Sequence, residues 1–258
     1  MDRRQGGCDR DRDHRRAPRH ADREGDRGGL QRDPLDQAGS RGSTDPRLLG
    51  EEGLSGSDPL SERTITAYLD RLSSADPAPG GGSAAALTAA LAASLGLMVV
   101  AVGRERGDDP RLSEIAERLR DLRASFLKLA CEDEEAFGNV LASYRLPKGD
   151  PNREGLIEHA LQEAARVPIR LAEGCIDLLH RLVELAPLSP RQIASDVGAA
   201  SHLARAAISS ALLNVNANIA YMHDEAAIAE LEDERARLAN LGIELAERAA
   251  SIVIERIG

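Results

Sequence analysis

One aspartate interrupts an apolar helical seam. Leu119, Leu122, Phe126 and Leu129 recur at 3,4,3 spacing, the period of one helix face. Continued, the seam reaches positions 133, 136, 140 and 144. Ala136, Val140 and Tyr144 extend it, but position 133 is Asp, while Glu132, Glu134 and Glu135 fall off the seam. A carboxyl withdrawn from water disfavours its charged form, so its pKa climbs toward the range useful for proton transfer near neutrality. The competing reading pairs Asp133 with a basic side chain of a neighbouring helix.

Two other stretches could carry chemistry. Pro79-Gly80-Gly81-Gly82-Ser83 frees the backbone to turn and offers bare N–H groups at a helix start, where an anion or a carbonyl oxygen could dock. It is not a P-loop, because no Lys follows the glycines and no strand precedes them. A plain interhelix turn is the alternative. In 193–221, Asp196, Ala200, Ala207, Asn214 and Asn218 share a helix face and could line a cleft. Asp196 could equally cap its helix, and Asn214 and Asn218 could bond across a subunit interface. The histidines are scattered and no HxxxH or CxxC spacing occurs, so no metal is expected. No Gly-x-Ser-x-Gly elbow announces a covalent nucleophile.

The elements that must hold these groups read as helices throughout. Ser61 is placed to cap the first. The Pro/Gly cluster 77–82 ends it, with Ser83 as the next cap. Asp109-Pro110 opens a helix reaching Tyr144, before Pro147 and Gly149. Another runs from about Arg153 to Ala186, with a kink expected at Pro168. A fifth follows Ser195-Asp196, and the last spans Asp224 to Arg256. No segment alternates with period two, so the fold class is all-α, a bundle of long helices. Residues 84–103 lack charge and are long enough to span a bilayer. Their first dozen residues are mostly Ala, Ser and Thr, which favours a buried central helix over a membrane span.

The 258 residues carry net charge −10, with 2% aromatics and no Trp, so the core must be built from Ala, Leu, Ile and Val. Acidity argues against nucleic acid as a partner. Three widely spaced cysteines, Cys8, Cys131 and Cys175, fit a reducing, cytoplasmic setting, and no secretory signal opens the chain. Residues 1–58 hold 12 Arg, no Lys, 13 acidic groups and no Ile, Val, Phe, Tyr or Trp. They cannot bury enough apolar surface to offset chain entropy and read as a disordered extension. A second reading makes them translated upstream sequence absent from the cell's protein. The helical domain is 59–258.

Four stretches in order, "PAPGGGSAAALTAALAASL", "EDEEAFGNVLASYRLPK", "VPIRLAE" and "SDVGAASHLARAAISSALLNVNANI", together resemble the cyclodeaminase/cyclohydrolase family of one-carbon folate enzymes. The chain departs from the family's usual pattern at Leu188-Ser189-Pro190 and Val197-Gly198-Ala199. The resemblance implies an all-α homodimer and places Asp133 on the acid of the family's Asp-x-x-Ala-Phe signature. It implies hydrolysis of 5,10-methenyltetrahydrofolate to 10-formyltetrahydrofolate, or alternatively a formimidoyltetrahydrofolate cyclodeaminase that releases ammonia. A non-catalytic helical dimer that binds folate or a protein is the reading outside enzymes. On the enzyme readings Asp133 and Asp196 are the acid–base candidates. Gly80, Gly81, Gly82, Ser83, Asn214 and Asn218 line the folate site, and no cofactor is needed beyond the folate substrate. Lys148 or Arg145 would meet the glutamate tail, although Lys148 could be only a solvated helix-end charge.

Overall fold

The computed structural model describes residues 60–107 and 109–258, so the expectations for 1–58 and Cys8 lie outside the described residues. Six α-helices dominate the described residues: α1 Ile65–Leu72, α2 Gly81–Arg104, α3 Pro110–Tyr144, α4 Arg153–Leu185, α5 Ala194–Ile219 and α6 Glu225–Ile257. Short 3-10 turns cover Leu60–Glu62, Ala186–Leu188 and Arg191–Ile193, and no strand occurs among the described residues.

Several helix ends obey local chemistry. Asp109 caps α3 by accepting from the Arg111 N–H, with Pro110 in the first turn where its missing donor costs nothing. Asp224 caps α6 by accepting from Ala226 and Ala227. Three expected starts differ. α1 is capped by Thr64, not Ser61, because the chain first makes the 3-10 turn. α2 is preceded by Gly80 in extended conformation, which leaves Ser83 inside the first turn. α5 begins at Ala194, so Asp196 lies within its first turn and caps nothing. α4 stays helical through the buried Pro168.

Helices α2 to α5 close a ring in which each packs on the next and α5 returns to α2, while α6 lies against α4 and α5. Close approaches set the directions. Gly82 meets Asp133, Gly96 meets Leu119 and Gly103 meets Leu112, so α2 and α3 run antiparallel. Gly81 lies against Asn214 and Gly103 near Pro190, so α2 and α5 do the same. The tightness comes from alanine. Ala85, Ala86, Ala89, Ala90, Ala92 and Ala93 are all buried, and they let the neighbouring backbones approach as closely as an aromatic-poor core requires.

Helix α2 is the one described helix long and apolar enough to cross a membrane, yet half of its apolar window is buried inside the bundle. Its inner face is Ala and its outer face carries Leu91 and Met98. The uncharged stretch is therefore explained on one side by packing against α3 and α5. The other side stays open.

Candidate active site

The head of α2 is built by residues that the chain brings together from α1, α2, α3 and α5. Gly80 supplies no side-chain cap. In its place the Asp133 carboxylate, from α3, accepts the Ser83 backbone N–H at 2.9 Å through Oδ2. Gly82 is required for this. A methyl group there would overlap the Asp133 carboxyl, whose position on α3 is fixed by the seam below it. Gly81 faces the Asn214 amide at ordinary contact distance, and Gly80 faces open space.

Asp133 has no ion-pair partner among the described residues. The cation available nearby, Arg63, goes to Glu134 at 3.1 Å, with side chains only 8% and 9% exposed. Burial pushes the Asp133 carboxyl up to about 6. The Ser83 N–H opposes the shift and the Glu134 charge adds to it. The ion pair expected of Asp133 is made by Glu134 instead, whose side chain is little exposed although it falls off the seam. Ser83, fully buried, donates its hydroxyl to Glu134 Oε1 at 3.2 Å. Since that hydroxyl has one proton, Tyr68 of α1 must donate to Ser83 Oγ across 3.3 Å. Burial raises the Tyr68 pKa, against the pull of the Ser83 bond.

The other sequence candidates are divided by the fold. Asn214 sits at the glycines, with its amide nitrogen returned to the Ser210 carbonyl at 2.9 Å, and Asn218 bonds the Asn214 carbonyl at 3.0 Å. Asp196 shares their helix but lies eighteen residues earlier, about 27 Å along the axis. Within one chain it does not meet Asp133. Arg145 is the C-cap of α3, and Lys148 is exposed in the loop that follows. Tyr144 stands about 16 Å along α3 from Asp133. A groove of about 530 Å³ opens between α3 and α4 beside the same turn. It runs from Glu132 and Ala136 past Asn139 to Leu146, with His159 and Arg170 on the far wall. Arg170 and Lys128 are both held by Glu132.

Sequence reasoning missed Arg63, Tyr68, Glu134 and Phe137. Phe137 is one turn from Asp133 and 41% exposed, although the other phenylalanine, Phe126, is fully buried. That contrast is a flat apolar surface left open beside the acid. No cluster of three or more His, Cys, Asp or Glu able to hold a metal occurs among the described residues.

A helical bundle that keeps one desolvated carboxyl against a glycine-rich helix start, with no nucleophile elbow, is the frame of an acid–base enzyme. The formiminotransferase-cyclodeaminase family model matches residues 64–237, and the chain belongs to this family. It is 33% identical over 171 residues to a methenyltetrahydrofolate cyclohydrolase of Methylorubrum extorquens, covering 63% of this chain and 82% of the relative. It is 30% identical to the rat formimidoyltransferase-cyclodeaminase, covering 75% of this chain. It spans only 37% of that longer protein. The solved formiminotetrahydrofolate cyclodeaminase of Thermotoga maritima superposes with a TM-score of 0.71 at 25% identity, over 77% of this chain and 99% of that one.

The raised Asp133 pKa carries a stability consequence with a definite sign. The folded-state value of about 6 exceeds the ordinary 3.8, so ionised Asp133 costs the fold above pH 6. The cost is up to about 3 kcal/mol at pH 8 and vanishes below about pH 4. Asp133→Asn should therefore be as stable as the wild type or more so at pH 8, with the difference shrinking toward pH 4. Denaturant melts at both pH values check this. A variant less stable at pH 8 than at pH 4, relative to wild type, would contradict a desolvated acid.

Proposed function

We propose that the chain is a methenyltetrahydrofolate cyclohydrolase, which adds water to 5,10-methenyltetrahydrofolate and forms 10-formyltetrahydrofolate. The observation that carries this is Asp133, a carboxyl near its own pKa at physiological pH, bonded to the head of α2. The substrate is a cationic amidinium, and ionised Asp133 stabilises that charge. Asp133 takes a proton from water as the water oxygen bonds to the bridging carbon. It returns that proton to N5 as the carbon–N5 bond breaks. The remaining hydroxyl proton leaves to solvent, so the hydrolysis releases one proton overall. A single group with a pKa near 6 can perform both transfers.

The other groups serve binding. The N–H groups of Gly81 and Gly82 have no hydrogen-bond partner among the described residues and are free for a pterin carbonyl. Asn214 Oδ1 stands beside them, and Asn218 fixes that turn. Phe137 offers a face for the flat ring. The α3–α4 groove has room for the arm of the folate and ends at Leu146, close in sequence to Lys148, our candidate for the glutamate carboxylates. Asp196 belongs to this site only if a second chain brings it there. The chemistry calls on no metal or cofactor, and the free thiols of Cys131 and Cys175 fit a cytoplasmic enzyme.

A formimidoyltetrahydrofolate cyclodeaminase is the second reading, favoured by the match to nearly the whole Thermotoga chain. There N10 attacks the formimidoyl carbon, Asp133 accepts the N10 proton, and ammonia leaves with it. Offering the purified chain both folates separates the two. Loss of methenyl absorbance without ammonia supports the hydrolase. Ammonia from the formimidoyl compound supports the deaminase, and no turnover of either sinks both.

We also propose a homodimer formed through α2 and α5. On α2 the outward positions Ala84, Leu87, Leu91, Leu95, Met98 and Ala101 are uncharged over most of the helix. Leu213 on α5 is 68% exposed, between Ala206 and Ala217. A face of this length without charge is better covered than solvated, which also accounts for the outer side of α2 without a membrane. Light scattering at micromolar concentration should give twice the chain mass, and Leu91→Glu should halve it. A wild-type monomer would overturn the assembly.

A further inference from the structure

Short α1 makes little core. Ile65 and Leu69 are exposed, and Tyr68 is its one buried side chain. Its inward groups nevertheless converge on the acid. From the turn before it, Arg63 reaches Glu134, 71 residues on, donating to Oε1 at 3.1 Å and Oε2 at 3.3 Å. Tyr68 reaches Ser83, whose N–H and hydroxyl hold Asp133 and Glu134 respectively. Arg63 lies one residue before the family-matched segment.

We propose that the 60–72 segment is a strap over the active site, in which Arg63 and Tyr68 are positioning residues for Asp133. Arg63 neutralises Glu134, the carboxylate adjacent in sequence to Asp133. Tyr68 and Ser83 orient Glu134 so that it stays with Arg63. The inference rests on reading Asp133 as the proton carrier.

Among the described residues, four elements bring groups toward Asp133. From the strap come Arg63 and Tyr68, and from α2 only the uncharged Gly82 and Ser83. α3 contributes Glu134, with Glu132 bonded away to Lys128 and to Arg170 of α4. α5 contributes the neutral Asn214. Of these, the Arg63–Glu134 pair is the lever on Asp133. Breaking it from either side moves the acid in opposite directions. Arg63→Gln leaves an unpaired negative charge beside Asp133 and disfavours its ionised form. Glu134→Gln removes the negative charge beside Asp133 and favours that form.

The test is kcat/KM against pH for the full chain acting on methenyltetrahydrofolate, with the melting temperature of each variant alongside. Arg63→Gln should shift the acidic limb upward by about one pH unit, and Glu134→Gln should shift it downward. The double variant should return near wild type, and Arg63→Lys should stay there. Lower melting temperatures with an unmoved limb would make the strap merely structural and overturn the proposal. Glu134→Gln is nearly isosteric, so its limb decides the matter even if Arg63→Gln does not fold. Failure of the underlying reading looks different: Asp133→Asn would keep full turnover, and no variant would have a limb to move.

Discussion

The hydrogen bond from the Ser83 N–H to Asp133 is the contact around which the rest is arranged. It fastens the start of α2 to α3, and it takes the place of the side-chain cap that Gly80 cannot provide. A carboxylate that caps a helix from another helix usually sits at a low pKa. Here burial outweighs the cap, and the group ends near 6. The balance demands that no cation touch Asp133. The nearby Arg63 pairs with Glu134 instead, whose negative charge adds to the upward shift of the acid.

Glycine and alanine make this arrangement sterically possible. Gly82 gives the carboxyl room at the helix start, and the buried alanines of α2 let α3 and α5 close around it. One constraint thus accounts for two features of the same segment. Gly82 makes room for the carboxyl, and the alanines bring the neighbouring helices together. The outer side of α2 carries the larger, exposed Leu91 and Met98 instead.

Much of this was legible in the sequence. Helical period exposed Asp133 as an intruder in an apolar seam. The helix order followed from Pro, Gly and cap residues, with α3 beginning and ending where those signals lie. What was not legible were pairings over long separations. Nothing in the spacing of Arg63 and Glu134, 71 residues apart, indicates that they meet. Asp196 shows the opposite error. Its face matched that of Asn214, but sharing a face fixes only rotation, and the helix rise carries the two residues about 27 Å apart. Serine's preference for caps likewise pointed to Ser61 and Ser83, where Thr64 and the Asp133 carboxylate do the capping.

The chemistry proposed for this site turns on whether Asp133, withdrawn from water, exchanges its proton near physiological pH. A carbon-13 titration of the side-chain carboxyls, with Asp133→Asn as the blank that assigns the signal, tests it without reference to any substrate. Asp133 should give a resonance that titrates with a midpoint near pH 6 in the wild type and is missing from the variant. A midpoint below 4, the ordinary range of a solvated aspartate, would contradict it.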